Sequence, residues 1–458
     1  MLTKKKNPVI SKFRDKSANI IKRKLIPFKK NGNSGDRDLA KLLIENAVLV
    51  DGTGSSPMKD ASVLIDGDRI EAVGRGLDAP RGSKNVDAKG MTAMPGLMDL
   101  HVHMAGESLG RRIRLLDWSQ TTPPALKLYH AVRNARLCLE AGFTTVRCID
   151  IEEEIVWGPS LREAIELGIF SGPRILACAG QIKRSGNFPY GSSVTYLGMP
   201  EPFKPAWRPA DGPWECRRAV RECVANGADF IKFFATGSTG GAGVKHYWVL
   251  YTLEEIKAIT DEAHRMERRC ACHAHGTQGI KDAIIGGTDT IEHGTYLDDE
   301  GVKLMSKHGT YYVPTFTIHY NVVNMGEELK VPQFTIQKIR DTWEHSVPSV
   351  QKAQKAGVKI ACGTDSGGTW APCGENAREL ELLVKYGGMT PMQAVTAATK
   401  VSAEAIGREK DLGTIEPNKL ADIILVKGDP LKNIELLQKE SNIKMVIKGG
   451  KIEVNRGV

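Results

Sequence analysis

The sequence predicts an α/β fold with eight short strands, and three observations lead there. Short apolar runs alternate with helical patterns through the middle of the chain. The alternating stretch spans about 270 residues, close to the roughly 250 of a (β/α)8 TIM barrel. Both ends of the chain read as strands and turns, as if they jointly built one small β domain. A doubly wound open sheet uses the same alternation, so the strand count alone leaves both architectures standing.

The chain opens on a basic arm. Residues 1–38 hold 12 Lys/Arg and 3 Asp/Glu, whereas the rest of the 458 residues hold 51 of each. The net charge of +9 therefore belongs to the arm, and the body has no basic bias pointing to nucleic acid. Val9, Phe13, Ile20, Ile21, Leu25 and Phe28 form a loose apolar stripe among lysines, which permits weak contact with an anionic membrane surface. The plainer reading is a tail with no partner. NGNSGD follows as a linker.

KLLIENAVLVDGTG and ASVLIDGDRIEAVG come next as strands, with Asp66-Gly67 as a hairpin turn signal. LGTIEPNKLADIILVKGDP and IKMVIKGGKIEV repeat this style at the far end. Between them lie the eight apolar runs PGLMDLHVHM, FTTVRCI, PRILACAG, DFIKFFATG, RRCACHAHG, TDTIEHG, TYYVPTF and VKIACGTDSG. LEEIKAITDEAHRM is a representative helix, with Leu253, Ile256, Ile259 and Ala263 on one face and a Thr252/Glu255 capping box. No apolar stretch reaches the roughly 18 residues of a membrane span. Nine scattered cysteines with no C-x-x-C pair predict buried thiols in a reducing compartment, hence the cytoplasm.

The polar residues fall where strands end. The first run ends in His101 and His103, which project to one face of a strand and can hold a metal through two nitrogens. The fourth carries Lys232 among Phe230, Ile231, Phe233 and Phe234. The fifth ends in His273 and His275, the sixth in His293 and the eighth in Asp365. Nearly every ionisable group inside an apolar strand is thus a histidine, an aspartate or that one lysine. A single strand-end histidine is ordinarily structural, and Asp365 alone reads as a turn or cap residue. A lysine is almost never fully buried unpaired, so Lys232 resists such a reading. The joint placement on one rim, where barrel enzymes keep their catalytic groups, points to a metal-dependent site.

HVH, IKFFATG, HAHG, IEHG and GTDSG, in this order, resemble the amidohydrolase superfamily. The resemblance is narrower still to its imidazolonepropionase-like branch, which includes Xaa-Pro dipeptidases and ochratoxin amidohydrolases. VDGTG, GFTTVR, GMTPMQAVTAAT and LGTIEPNKLADIILVKGDP extend the likeness from about residue 40 to the end. The resemblance implies a (β/α)8 barrel over 95–412 and a composite β-sandwich from 39–94 and 413–458, after the arm of 1–38. It implies two divalent metal ions, usually zinc, bridged by a carboxylated lysine and a hydroxide. Carried over residue by residue, His101, His103 and Asp365 hold one ion, His273 and His293 hold the other, and carboxylated Lys232 touches both. Asp365 would pass a proton from the attacking water to the leaving nitrogen.

Two places depart from the branch. Asn187 in RSGN and Cys373 in CGEN stand where the branch often has histidine, and with His275 they are the candidate substrate-binding residues. The expected activity is hydrolysis of a C–N amide bond in a dipeptide or N-acyl amino acid, toxin-like amides included, by a homo-oligomer. Two other readings remain. One is a one-metal hydrolase or deaminase of cyclic amides or amidines with Lys232 unmodified. The other is a non-catalytic barrel scaffold or membrane-associated factor.

Overall fold

A computed structural model describes residues 41–108, 122–149, 157–185, 207–240, 245–368 and 370–458. The basic arm and Asn187 lie outside the described residues. Strands β1 (Leu42–Leu49), β2 (Met58–Asp66), β3 (Arg69–Arg75), β4 (Lys84–Asp87) and β5 (Met91–Pro95) open the body. The Asp66-Gly67 signal produces the β2–β3 hairpin, with Asp66 opposite Arg69 and Gly67 at φ +60° in the two-residue turn.

Nine strands follow: β6 (Leu97–Val102), β7 (Phe143–Cys148), β8 (Arg174–Ala177), β9 (Gln181–Lys183), β10 (Trp207–Pro209), β11 (Phe230–Phe234), β12 (Arg269–Ala274), β13 (Thr290–His293) and β14 (Tyr311–Val313). The chain closes with β15 (Ile423–Lys427), β16 (Ile443–Lys448) and β17 (Lys451–Asn455). β15 pairs antiparallel with β5, Ile423 opposite Pro95, so the two ends of the body share one sheet ordered β17-β16-β15-β5-β1-β2-β3, with β4 on β1. Its apolar face buries Leu42, Ile44, Val63, Ile65, Ile423, Leu425, Met445 and Ile447.

The middle strands are parallel. β6-β7-β8 form one sheet and β10-β9-β11-β12-β13-β14 another. They read as near-continuous apolar runs because both faces of such a sheet are covered. The eighth predicted run, around 359–366, bridges the two sheets through its backbone. Ala361 N–H donates to Tyr312 on one side, and Leu100 N–H donates to Cys362 on the other. The third predicted run forms β8, which pairs with β7, and ends at Ala179 (φ +48°) and Gly180 (φ +107°); just past it comes β9, which pairs with β11. The result is a TIM-barrel-like α/β arrangement in which strand ends converge.

Helix 253–265 carries the expected reciprocal Thr252/Glu255 cap and buries Ile256, Ile259 and Ala263. All nine cysteines are buried free thiols. Among the described residues, no helix is long and apolar enough to cross a membrane.

Candidate metal centre

Strand β6 delivers His101 and His103 to one place, with ring centroids 5.5 Å apart. Both rings turn to Asp365: its Oδ1 lies 3.0 Å from His103 Nε2 and 3.7 Å from His101 Nε2. From β12 and β13 come His273, His275 and His293. His273 and His293 lie 4.6 Å apart by ring centroid, and His275 stacks on His293 at 4.8 Å. Within each trio, His101–His103–Asp365 and His273–His275–His293, the candidate ligand atoms lie within 4.8 Å of one another. His101 and His293, at 5.0 Å, join the two trios. The strand-end residues read from the sequence are therefore one cluster, with His275 in it. Cys373 is not brought there: its thiol packs in the apolar core beside Cys138.

Lys232 rises from β11 in the midst of these groups. It is 1% exposed, and its Nζ has no hydrogen-bond partner. Burial pushes its pKa down, against the pull of Glu292 and Asp365. Burial also drives the imidazoles neutral, His101 to about 4 and His273, His275 and His293 well below the usual range, with Lys232 adding to the push in all four. Neutral imidazoles offer lone pairs, as metal ligands must. Burial works against ionised Asp365, but His101, His103 and Lys232 outweigh it and hold the carboxyl below the ordinary range. Neutral nitrogen donors, one carboxylate and an unpartnered buried amine fit divalent cations.

The family model for the amidohydrolase family matches residues 92–452, the span that supplies all of these groups. The chain belongs to the amidohydrolase family. It is a hydrolase acting on C–N amide bonds. It is 31% identical over 444 residues to ochratoxinase from Aspergillus niger, covering 92% of this chain and 88% of the relative. Its fold matches that of a Xaa-Pro dipeptidase with methionine bound in its active site, at TM-score 0.80 and 32% identity, covering 90% of this chain and 99% of that one. A prolidase complexed with N-methylphosphonate-L-proline matches at TM-score 0.80 and 28% identity, covering 91% of this chain and all of that one.

Around this amidohydrolase cluster lies a layer that the sequence reading passed over. Glu292 is fully buried on β13 and accepts from His101 Nδ1 at 2.7 Å and from Arg147 Nη2 at 2.7 Å. Burial opposes its ionisation, but Arg147 and His101 prevail and hold it at about 2. The anion fixes the His101 proton on Nδ1 and so frees Nε2, as a partner behind a metal-binding histidine does. Arg147 and Glu292 are exceptions to the pattern in which nearly every strand-borne ionisable group is a histidine, an aspartate or Lys232. Their signal, an ionisable residue inside an apolar run, was the one used for Lys232. His275 Nδ1 and His293 Nδ1 pair with the hydroxyls of Thr295 and Thr315, each at 2.7 Å.

The backbone is strained here. His293 (φ +69°), Thr315 (φ +54°) and Asp365 (φ +59°) all adopt left-handed conformations that cost energy for residues with a side chain. Two buried carboxyls hold these turns. Asp99 accepts from the N–H groups of His101 and Thr364, from the Thr364 hydroxyl at 2.6 Å and from Asn376. Glu379 accepts from the N–H groups of Phe316 and Thr317 at 2.8 and 2.7 Å and from the Thr317 hydroxyl. Burial raises both, Asp99 to about 6 and Glu379 to about 8.

Proposed function

We propose that this amidohydrolase uses two divalent metal ions, zinc by its donor set, to cleave the amide bond of dipeptides or N-acyl amino acids, toxin-like amides included. The observation that bears the reading is Lys232: a buried amine with no partner, its charge acting on residues of both trios. An ammonium beside two dications would be repelled. Burial favours the neutral amine, whose nitrogen lone pair can bond to the carbon of carbon dioxide and release a proton, giving a carbamate, an anion with two oxygens for two ions. In this assignment His101, His103 and Asp365 would hold one ion, His273 and His293 the other, and carboxylated Lys232 would serve both.

Bound ions of this kind supply an activated water and polarise the substrate carbonyl. The chain's own groups do the rest. Glu292 and Thr315 keep His101 and His293 in the tautomers that present Nε2. Asp365, ionised beside the site, accepts the proton that the water loses as its oxygen bonds to the carbonyl carbon. When the C–N bond breaks, Asp365 returns that proton to the leaving nitrogen. The strained turns at Thr315 and Asp365 hold these atoms in place before substrate arrives.

The same reading closes the parallel strands into a (β/α)8 barrel over 95–412, beside a composite β-sandwich of 39–94 and 413–458. Buried free thiols support a cytoplasmic setting. One observation favours the one-ion alternative: His275 completes a three-imidazole group with His273 and His293, the donor count of many catalytic zinc sites. Elemental analysis separates the two. Metal-replete protein should hold two ions per chain and turn over members of a dipeptide and N-acyl amino acid panel. One ion per chain, or no turnover across the panel, overturns the reading.

A further inference from the structure

Beyond the two trios stand further buried imidazoles, and His319 is the most deeply buried of those described. His319 lies in helix 316–325, which begins immediately after the strained Thr315. It is 2% exposed. Its ring faces the cluster, 6.1 Å by centroid from His275 and 6.2 Å from His293. The charge of Asp365 is felt at its ring. Buried polar groups in folded proteins are almost always paired, so an unpaired one calls for an explanation. His319 Nδ1 is buried with no partner, and Nε2 is the ring nitrogen left to meet a ligand.

The tautomer follows from cost. A buried N–H without an acceptor is rarer than an acceptor without a donor. The proton therefore belongs on Nε2, with the Nδ1 lone pair left unused. Burial keeps the ring neutral, with its pKa near 4. The helix that carries the ring is also held firmly. Glu379 binds the N–H groups of Phe316 and Thr317, one turn before His319, and the side chain of Asn321 bridges Arg378 and the Trp370 carbonyl two residues after it. The same turn sets Thr315 against His293. A fixed neutral donor beside a reacting centre costs no reorganisation when charge develops there.

We infer that His319 is a catalytic residue, its Nε2–H donating a hydrogen bond to the oxygen of the scissile carbonyl as that oxygen gains negative charge. The inference rests on the amide-hydrolase reading of the site. It adds no covalent step: the carbonyl π pair moves onto oxygen as the water oxygen bonds to carbon, and His319 keeps its proton throughout. The companion His246, 6.2 Å from His275, has its Nε2 taken by the Tyr296 hydroxyl at 3.2 Å and is not assigned this role.

The test compares metal-replete wild type with His319→Ala and His319→Gln, with metal content measured in each. Glutamine returns an N–H near the position of Nε2. His319→Ala should lose about 100-fold in kcat, the scale of one lost oxyanion donor, with KM nearly unchanged and metal content intact. His319→Gln should recover a tenfold or larger part. A methylphosphonyl amino acid, whose tetrahedral anion stands in for the attacked carbonyl, should bind His319→Ala more weakly by a matching factor in calorimetry. A fully metallated alanine variant with normal kcat, or one that only raises KM, overturns the assignment. If wild type hydrolyses nothing on the panel, the amide-hydrolase reading fails, and phosphonate affinity still judges His319. Equal phosphonate affinity in wild type and His319→Ala, or none in either, overturns it.

Discussion

The two ends of the same parallel strands treat charge in opposite ways. Asp229, just before β11, accepts from Ala177 N–H at 2.9 Å and pairs with Arg162. Asp289, just before β13, accepts from Cys270 N–H at 2.7 Å and from His264 Nε2 at 2.9 Å. Each of these carboxylates ties one strand to the next. His264, Cys270 and Asp289 lie close enough to suggest a metal site. Yet the Asp289 oxygen is already used, and burial pushes the Cys270 thiol well up, away from the thiolate a metal needs. At the other end, Lys232 has no partner and His293 and Asp365 sit in strained conformations. One end is built for stability, and the other stores unsatisfied groups that the first end and the buried Asp99 and Glu379 must support.

Substitutions should divide along this line, and the largest effect belongs to Asp365. Asp365→Asn should fold and hold metal yet lose about 100-fold or more in kcat, because the amide cannot take the proton. Near-normal turnover with unchanged metal content would remove Asp365 from the mechanism. Glu292 tests the layer behind the proposed ligands. Glu292→Gln keeps the shape but removes the charge that orients His101 and neutralises Arg147. Metal affinity should fall about 10- to 100-fold by competition with a chelator. Unaltered affinity would show that His101 needs no help with its tautomer.

How much of this was legible in the sequence depends on what kind of signal each residue leaves. His101, His103, Lys232, His273, His275 and His293 stand in or at the ends of short apolar runs, and Asp365 follows one, so strand periodicity exposes them. Arg147 and Glu292 leave the same signal, but each cancels the other's charge in space, a pairing that no spacing reveals. His319 lies in a helix, and Thr315 owes its role to a left-handed turn held by Glu379, a residue 64 positions later. Such contacts exist only after the chain has closed on itself. Strand β9 was hidden for a related reason: it begins just past PRILACAG, beyond the positive φ of Ala179 and Gly180, and pairs with β11, much later in the chain.

At the stabilising end the expected pattern reverses. Asp289→Ala removes acceptors for the Cys270 N–H and for His264, and the partly buried N–H loses its only side-chain acceptor. Stability should fall by about 1–3 kcal/mol in denaturant unfolding. Activity per folded molecule should stay within about twofold, because loss at this face concerns stability rather than catalysis. A tenfold fall in kcat with metal content preserved would mean that the two ends are coupled, and the division drawn above would not hold.

The smallest effect is a pH dependence at the same place. The hydrogen bond that His264 donates to Asp289 raises the His264 pKa in the folded protein, against partial burial that lowers it. In the unfolded chain His264 titrates near the ordinary value of about 6.5. Protons therefore bind the folded state more tightly, and the pair stabilises fully only below that value. The contribution fades as pH rises through the higher folded pKa, where His264 becomes neutral in both states. His264 is well exposed, so solvent and salt screen the pair. Wild type should melt above His264→Gln by at most about 2 °C at pH 5.5, and the gap should close by pH 9. Added salt should shrink the low-pH gap. A gap that widens with pH would reverse the sign of the linkage and show that Asp289 binds His264 in its neutral form, as an orienting hydrogen bond rather than an ion pair.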